Sequence, residues 1–397
     1  MRNVFLFSLL FSTAVWGSPS SMVQAISNAN KMNTPVLTED EGATVYTGTI
    51  KITTLGRLMR DENLKSTVGW SFVEAGIGVQ YFEWLKFNFA LTGIFGEGAG
   101  QNYLNGDGAA ANLIILDTAA IELKPINEIT LTAGVIAYRI NPLSSVMSAG
   151  TSPGLEQKVE LQNKMETFKF SLIGNEAIPS FGVNKTVVDQ DKTPFFLSGT
   201  AMVEGKFSPI NSTIKLAATQ FKFGNLPANV SGSTAGSGGA VYAGNSLSSV
   251  SGVGENMQFI IGFAGTESAA VFETEWTSNL KTILKAATIK NDQAFQNENQ
   301  GKVGKVEVEW TRKNIKLTPN LMVFEVESDV TPAAFSIFAN RLNNRKGFKT
   351  GLSLELIKQK IAFSGSYMKS IEIENTPFLF DREVYNLGLE VNYDLFK

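Results

Sequence analysis

The sequence predicts an all-β protein, a transmembrane antiparallel up-and-down β-barrel of about 16 strands with short turns at one end and long loops at the other. Three observations lead there. Apolar residues recur at every second position along most of the chain, and the connections alternate between tight and long. The mean hydropathy is +0.02, which excludes a bundle of membrane helices but suits a wall whose lipid-facing and lumen-facing residues nearly cancel.

Alternation is clearest at the carboxyl end. Tyr385, Leu387, Leu389, Val391, Tyr393 and Leu395 are interleaved with Asn386, Gly388, Glu390, Asn392 and Asp394. Period two with one apolar and one wet face is the pattern of a strand between two solvents.

From the amino end, Arg2 precedes an apolar run from Val4 to Trp16 and then small residues. The run is too short to span a bilayer as a helix, so residues 1–17 read as a secretory signal peptide cleaved before Ser18. Residues 18–42 read as a polar periplasmic lead-in, and the barrel is expected over 43–397.

The chain has no cysteine and no histidine. Disulfides are excluded, and the commonest general base and metal ligand are both missing. No enzyme, metal site or cofactor is expected. Formal charge is −3, with 34 basic and 37 acidic residues intermixed, which gives nucleic acid no basic block to bind.

Sixteen strands are expected. They begin with Thr44–Met59, Thr67–Phe82, Leu85–Gly96, Ala110–Leu123 and Glu128–Arg139. Lys158–Ile173, Ser180–Val188, Pro194–Phe207 and Ser212–Phe223 follow, then Thr266–Trp276, Leu280–Lys290, Lys302–Thr311 and Ile315–Glu327. Gly347–Ile357, Ile361–Ile373 and Glu383–Phe396 complete the set. Tight turns are expected near Glu83-Trp84, Lys124–Asn127, Gly174–Pro179, Ser208–Asn211, Thr277–Asn279, Arg312–Asn314 and Lys358-Gln359. Long loops fall on the other side, among them the Gly- and Ser-rich stretch Gly224–Gly254, expected as a surface loop. A Greek-key sandwich has no reason to sort its loops by length in this way. Aromatic residues such as Tyr81, Phe82, Trp84, Phe207, Trp276 and Trp310 cluster beside tight turns, where amphipathic rings meet lipid headgroups.

On these features, Thr44–Lys397 resembles the Gram-negative outer-membrane general porins. The resemblance implies a homotrimer in the outer membrane, surrounded by lipid and lipopolysaccharide. It also implies a water-filled channel for passive diffusion of small hydrophilic solutes and ions. In that family the loop after the fifth strand folds inward, and the matching segment here is Ile140–Gln157. The expected constriction residues are Arg139 and Glu156 flanking that loop, opposed by the basic wall residues Lys51, Arg57 and Lys86. Two features depart from the family: the loop is mostly small and neutral, and Lys397 follows Phe396 where a terminal Phe is usual.

Charges on the predicted inner face are of both signs, which predicts weak ion selectivity. The inner faces show no aromatic track in sequence. That weighs against an alternative, a substrate-specific transporter of a hydrophobic or sugar ligand plugged by residues 18–42. A second alternative is an exported soluble β-sandwich surface protein. Gly150–Gly154 matches a nucleophile elbow, but such an elbow needs a histidine. The serine–lysine spacings at Ser278–Lys281 and Ser366–Lys369 fall in strand or turn and are read as chance.

Overall fold

The computed structural model describes residues 44–60, 65–99, 111–138, 141–144, 150–178, 194–208, 211–226, 247–249, 257–332, 343–374 and 381–396. The expected signal peptide, the 18–42 lead-in, Arg139 and the strand expected over Ser180–Val188 lie outside these residues.

The strands are β1 Val45–Arg60, β2 Lys65–Phe82, β3 Leu85–Ala99, β4 Ala111–Ile126, β5 Ile129–Tyr138 and β6 Gly150–Gln162. They continue as β7 Phe168–Ala177, β8 Phe195–Phe207, β9 Ser212–Gly224, β10 Leu247–Ser249, β11 Met257–Phe259 and β12 Phe263–Thr277. The rest are β13 Leu280–Asn291, β14 Gln300–Arg312, β15 Ile315–Val326, β16 Arg345–Leu356, β17 Ile361–Glu372 and β18 Arg382–Asp394. Short strands β10 and β11 pair with each other in the connection between β9 and β12. The other sixteen close into one barrel, each antiparallel to its neighbours, and β1 zips to β18 through twelve residue pairs from Thr49↔Asp394 to Arg60↔Glu383. Closure gives every strand a partner on both edges, the condition for a sheet to sit in hydrocarbon.

Alternation decides the faces. Directly paired residues share a side of the sheet, so one assignment propagates round the ring. Ile52, Val73, Phe89, Ile121, Leu216, Leu284, Leu321, Leu352 and Leu389 point outward and are exposed, forming the apolar band a bilayer requires. Tyr81, Phe82, Trp84, Phe207, Trp276, Trp310 and Tyr393 are also exposed, close to the short turns. Phe82 stacks on Trp84 at 5.3 Å.

Short turns join the strands at one end and carry left-handed residues at Glu166, Asn211, Lys313 and Lys360. One expected boundary is corrected. Lys158–Ile173 is not a single strand, and the tight turn is not at Gly174–Pro179. β6 ends at Gln162, the chain turns, and β7 starts at Phe168. Asn163 makes the turn without glycine or proline: its Oδ1 accepts from the N–H of Thr167 at 2.9 Å and of Phe168 at 3.0 Å. β7 then pairs directly with β8, so sixteen strands among the described residues close the ring.

Two local irregularities shape the wall. Asp117 is the extra residue of a bulge in β4, opposite the Ala90/Leu91 step of β3, and its carboxylate accepts from Thr92 on the inner face. Pro319 in β15 has no N–H, and the β14–β15 ladder skips from Glu307↔Asn320 to Trp310↔Leu317 there. Gly134 in β5 holds φ 131°, and a Cβ added there would meet the Ala119 carbonyl at 2.1 Å; only glycine fits.

Candidate functional site: the barrel lumen

The inward face divides along the barrel axis. Towards the short turns it carries paired charges. Lys215 of β9 and Lys281 of β13 share Glu273 of β12 at 3.1 and 2.6 Å. Lys285 holds Glu307 at 3.3 Å, and Lys305 bonds the same carboxylate. Lys316 meets Glu309 at 3.1 Å, and Lys51 meets Glu390 at 3.1 Å. Glu160 lies between Lys158 at 2.6 Å and Lys169 at 2.7 Å. Half-exposed pairs of this kind each contribute little to stability, roughly 0–1 kcal/mol. They keep the wall wet.

Towards the long loops many inward positions are apolar and buried, with Glu267, Arg345, Ser370 and Arg382 buried among them. Met59, Phe196, Phe223, Phe263, Ile289, Val326 and Val384 lie within two residues of their strand ends and are no more than 4% exposed. They belong to one cluster that also takes in Phe221, Phe324 and Met368. Val68, Trp70, Phe72 and Ile94 on β2 and β3 form a second. The expectation of an inner wall without aromatic residues is therefore wrong. The rings occupy alternate, inward positions, but each strand supplies only one or two of them, and only lateral pairing such as Phe196↔Phe223↔Phe263 joins them into a belt.

Loop segments pack on this belt. Leu143, Leu226 and Ile261 lie against it. Asn291 bridges three connections, donating to the Gly262 carbonyl at 3.0 Å and the Asp329 carbonyl at 2.8 Å. Asn343 donates to the Ser328 and Thr331 carbonyls, and Asn344 exchanges hydrogen bonds with Glu374. Buried backbone groups left by irregular loops need such partners.

The connection between β5 and β6 does run inward, with different limits from those expected. Gly150–Gln162 is strand β6, so the expected loop Ile140–Gln157 is shortened at its carboxyl end. Asn141 is buried, its Oδ1 accepting from the Leu143 N–H at 2.9 Å. The Ser144 hydroxyl donates to Glu267 of β12, a carboxylate 0% exposed and five strands round the ring from β5. That contact crosses the lumen.

Among the expected constriction residues, Glu156 is a wall residue of β6 rather than part of the loop, and it faces inward beside Asn175 and Thr132. Lys51 is inward and paired with Glu390. Arg57 is inward and 6% exposed; its Nε donates to Asn386 at 2.9 Å, and its guanidinium lies 5.1 Å from the centre of the Trp70 ring. Lys86 is inward in register with Glu122, near a short turn. Arg139 lies outside the described residues.

The arrangement does not place Lys51, Arg57 and Lys86 opposite Glu156. They stand on β1 and β3, at most five strands from β6. Eight strands from β6 is β16, with Lys349, and eight from β4 is β14, with Lys305. Glu74, Asp117, Glu122 and Glu156 on β2–β6 hold no lysine among the described residues. By strand count they stand across the ring from β12–β16, which carry Lys285, Lys305 and Lys349, while Lys51 and Lys86 stand in register with Glu74 and Glu122 on their own side. Alternation in the sequence marks Lys285, Lys305 and Lys349 as inward; the register adds Glu74, Glu122 and Glu156.

No protein-family model and no curated protein matches the sequence. Solved structures do match the fold. The barrel superposes on OprB of Pseudomonas putida with a TM-score of 0.56 and 11% identity, covering 89% of this chain and 94% of that one. It superposes on a loop-deletion mutant of OmpT, an outer membrane protein of Vibrio cholerae, with a TM-score of 0.52 and 9% identity over 89% and 100% of the two chains. The chain has the outer-membrane porin fold. With identities this low, the likeness is one of architecture, and the lumen's side chains are this chain's own. The exposed apolar band is the face that a barrel of this fold turns to a bilayer.

Proposed function

We propose that this chain forms a water-filled outer-membrane channel for passive diffusion of small hydrophilic solutes and ions. The observation that carries the reading is a closed barrel with an apolar outer face and an inward face of lysine–glutamate pairs, such as Lys215 and Lys281 on Glu273. Charges held across a lumen set a transverse field that orients polar solutes without binding them tightly. Because both signs are present, net ion selectivity is weak. Glu156, Lys51, Arg57 and Lys86 are proposed as lining residues, with Arg139 at the start of the inward loop. No reaction is catalysed, the leader of residues 1–17 is removed on export, and three copies assemble in the membrane. Planar-bilayer recording of detergent-extracted protein tests this: ohmic steps with a small reversal potential in a KCl gradient are expected, and absence of steps would refute it.

A second reading is a channel specific for a partly apolar substrate and plugged by residues 18–42; the Phe196–Phe223–Phe263 belt, at most 4% exposed under the loops, gives such a solute no surface. Removing residues 18–42 separates the readings further, since a plug's loss raises conductance sharply and loss of a loose lead-in leaves it unchanged.

A further inference from the structure

We infer that the lumen holds a binding site for small oxyanions, carboxylate or phosphate, centred on Lys349. The inference goes beyond diffusion through a pore and relies on that reading only in that the lumen is open to solutes.

Consider the inward row that crosses β13 to β18. Lys285 stands directly opposite Lys305, then come Met322, Lys349, Met368 and Val384. Like charges directly opposed destabilise a sheet, and at the first pair Glu307 relieves the repulsion by holding both lysines. Lys349 has no such relief. Its cross-strand partners are two thioethers, and it makes no ion pair among the described residues. The charges that act on it are Lys305 and Arg57, both cationic. Lys215, Lys281, Lys285, Lys305 and Lys316 each hold a carboxylate; Lys349 holds none.

An ammonium flanked by thioethers and cations is costly without a counter-ion. The wall beside it supplies further donors. Arg57 donates to Asn386 at 2.9 Å, and Asn386 donates to the Ser366 hydroxyl at 3.2 Å. That chain of bonds ends on β17, two residues from Met368, where the Ser366 hydroxyl hydrogen is free to point to the lumen. Gly351 pairs with Ser366 and adds no side chain beside Lys349. An oxyanion fits this set: one oxygen takes the ammonium and another the hydroxyl, and charge-assisted bonds of this kind are the strong ones.

Inorganic phosphate is the probe. Calorimetric titration of detergent-extracted protein at low salt is expected to show binding that weakens roughly tenfold in Lys349→Met, the size expected for one lost charge-assisted contact. Lys349→Met matches its Met322 and Met368 neighbours in shape. Lys316→Met, which removes a lysine already paired to Glu309, is expected to bind as the native protein does. The site is refuted if native protein binds no phosphate, if Lys349→Met binds equally well, or if Lys316→Met loses as much. Should Lys349→Met lose its β-sheet circular dichroism, acetylation of native Lys349 decides: phosphate must slow it, and an unchanged rate refutes the site. Failure to conduct KCl, with phosphate binding still dependent on Lys349, would remove the diffusion pore and leave the binding site standing.

Discussion

The two halves of the inner wall are built from the same strands and the same alternation, yet they solve opposite problems. The half near the short turns faces water and is lined by lysine–glutamate pairs that share carboxylates, as Glu273 and Glu307 do. The half near the long loops faces protein. Its inward positions include a cluster of Phe, Ile, Val and Met, covered in part by Leu143, Leu226 and Ile261, beside buried charges such as Glu267 and Arg345. One half keeps a passage hydrated, and the other provides an apolar seat that holds loops inside a ring. The difference teaches that "inward" in a barrel is not a single environment: what a strand shows to the lumen depends on whether solvent or a returning loop occupies that level.

The contrast can be broken first at the crossing loop. Deleting Asn141–Ser144 is expected to raise single-channel conductance by roughly two-fold, because conductance follows free cross-section at the narrowest level. Unchanged conductance would place the narrowing elsewhere. Next in size, Phe263→Ala removes a side chain that is 0% exposed, and chemical denaturation should register a loss of about 3–5 kcal/mol. A loss below about 1 kcal/mol would mean that the apolar belt does not act as a core.

A buried polar staple should cost less. Asn291→Ala strips hydrogen bonds from the Gly262 and Asp329 carbonyls, a penalty of about 1–3 kcal/mol. Hydrogen exchange should quicken in residues 292–299 and 327–332 while β5 and β6 stay protected. In the wet half the same kind of test should scarcely register. Lys316→Ala breaks a pair whose side chains are 31% and 25% exposed, and denaturation is expected to move by no more than about 1 kcal/mol. Glu307→Gln leaves that half folded but exposes the Lys285–Lys305 repulsion. The reversal potential in a KCl gradient should shift towards anions, and a shift towards cations would contradict the assignment of these lysines to the lumen.

Most of the architecture was legible because hydrocarbon and water impose period two, and strand after strand obeyed it. The one misplaced hairpin shows the limit. Asn163-Lys164-Met165-Glu166-Thr167 lacks glycine and proline, so the turn rests on a side chain, Asn163, replacing backbone partners. A polar, strand-averse run four residues before a fresh apolar alternation was the available signal. Glu156 is expected in a loop because the same hairpin is displaced; the register makes it a wall residue of β6. The aromatic belt was missed for a different reason: Phe196, Phe223 and Phe263 are single inward rings far apart in sequence, and only register brings them side by side.

Local sequence settled which residues face lipid and which face the interior and at which end the chain turns sharply; the count of sixteen agrees although the strand expected over Lys158–Ile173 is two and that over Ser180–Val188 lies outside the described residues. Those properties follow from neighbours two positions apart and from hydropathy alone. Which side chains oppose one another across the lumen, that Lys349 stands between two methionines without a carboxylate, and that Ser144 reaches Glu267 were decided by ring closure. A cross-strand partner depends on the registers of all sixteen strands together, and a partner across the hole depends on how many strands separate the two.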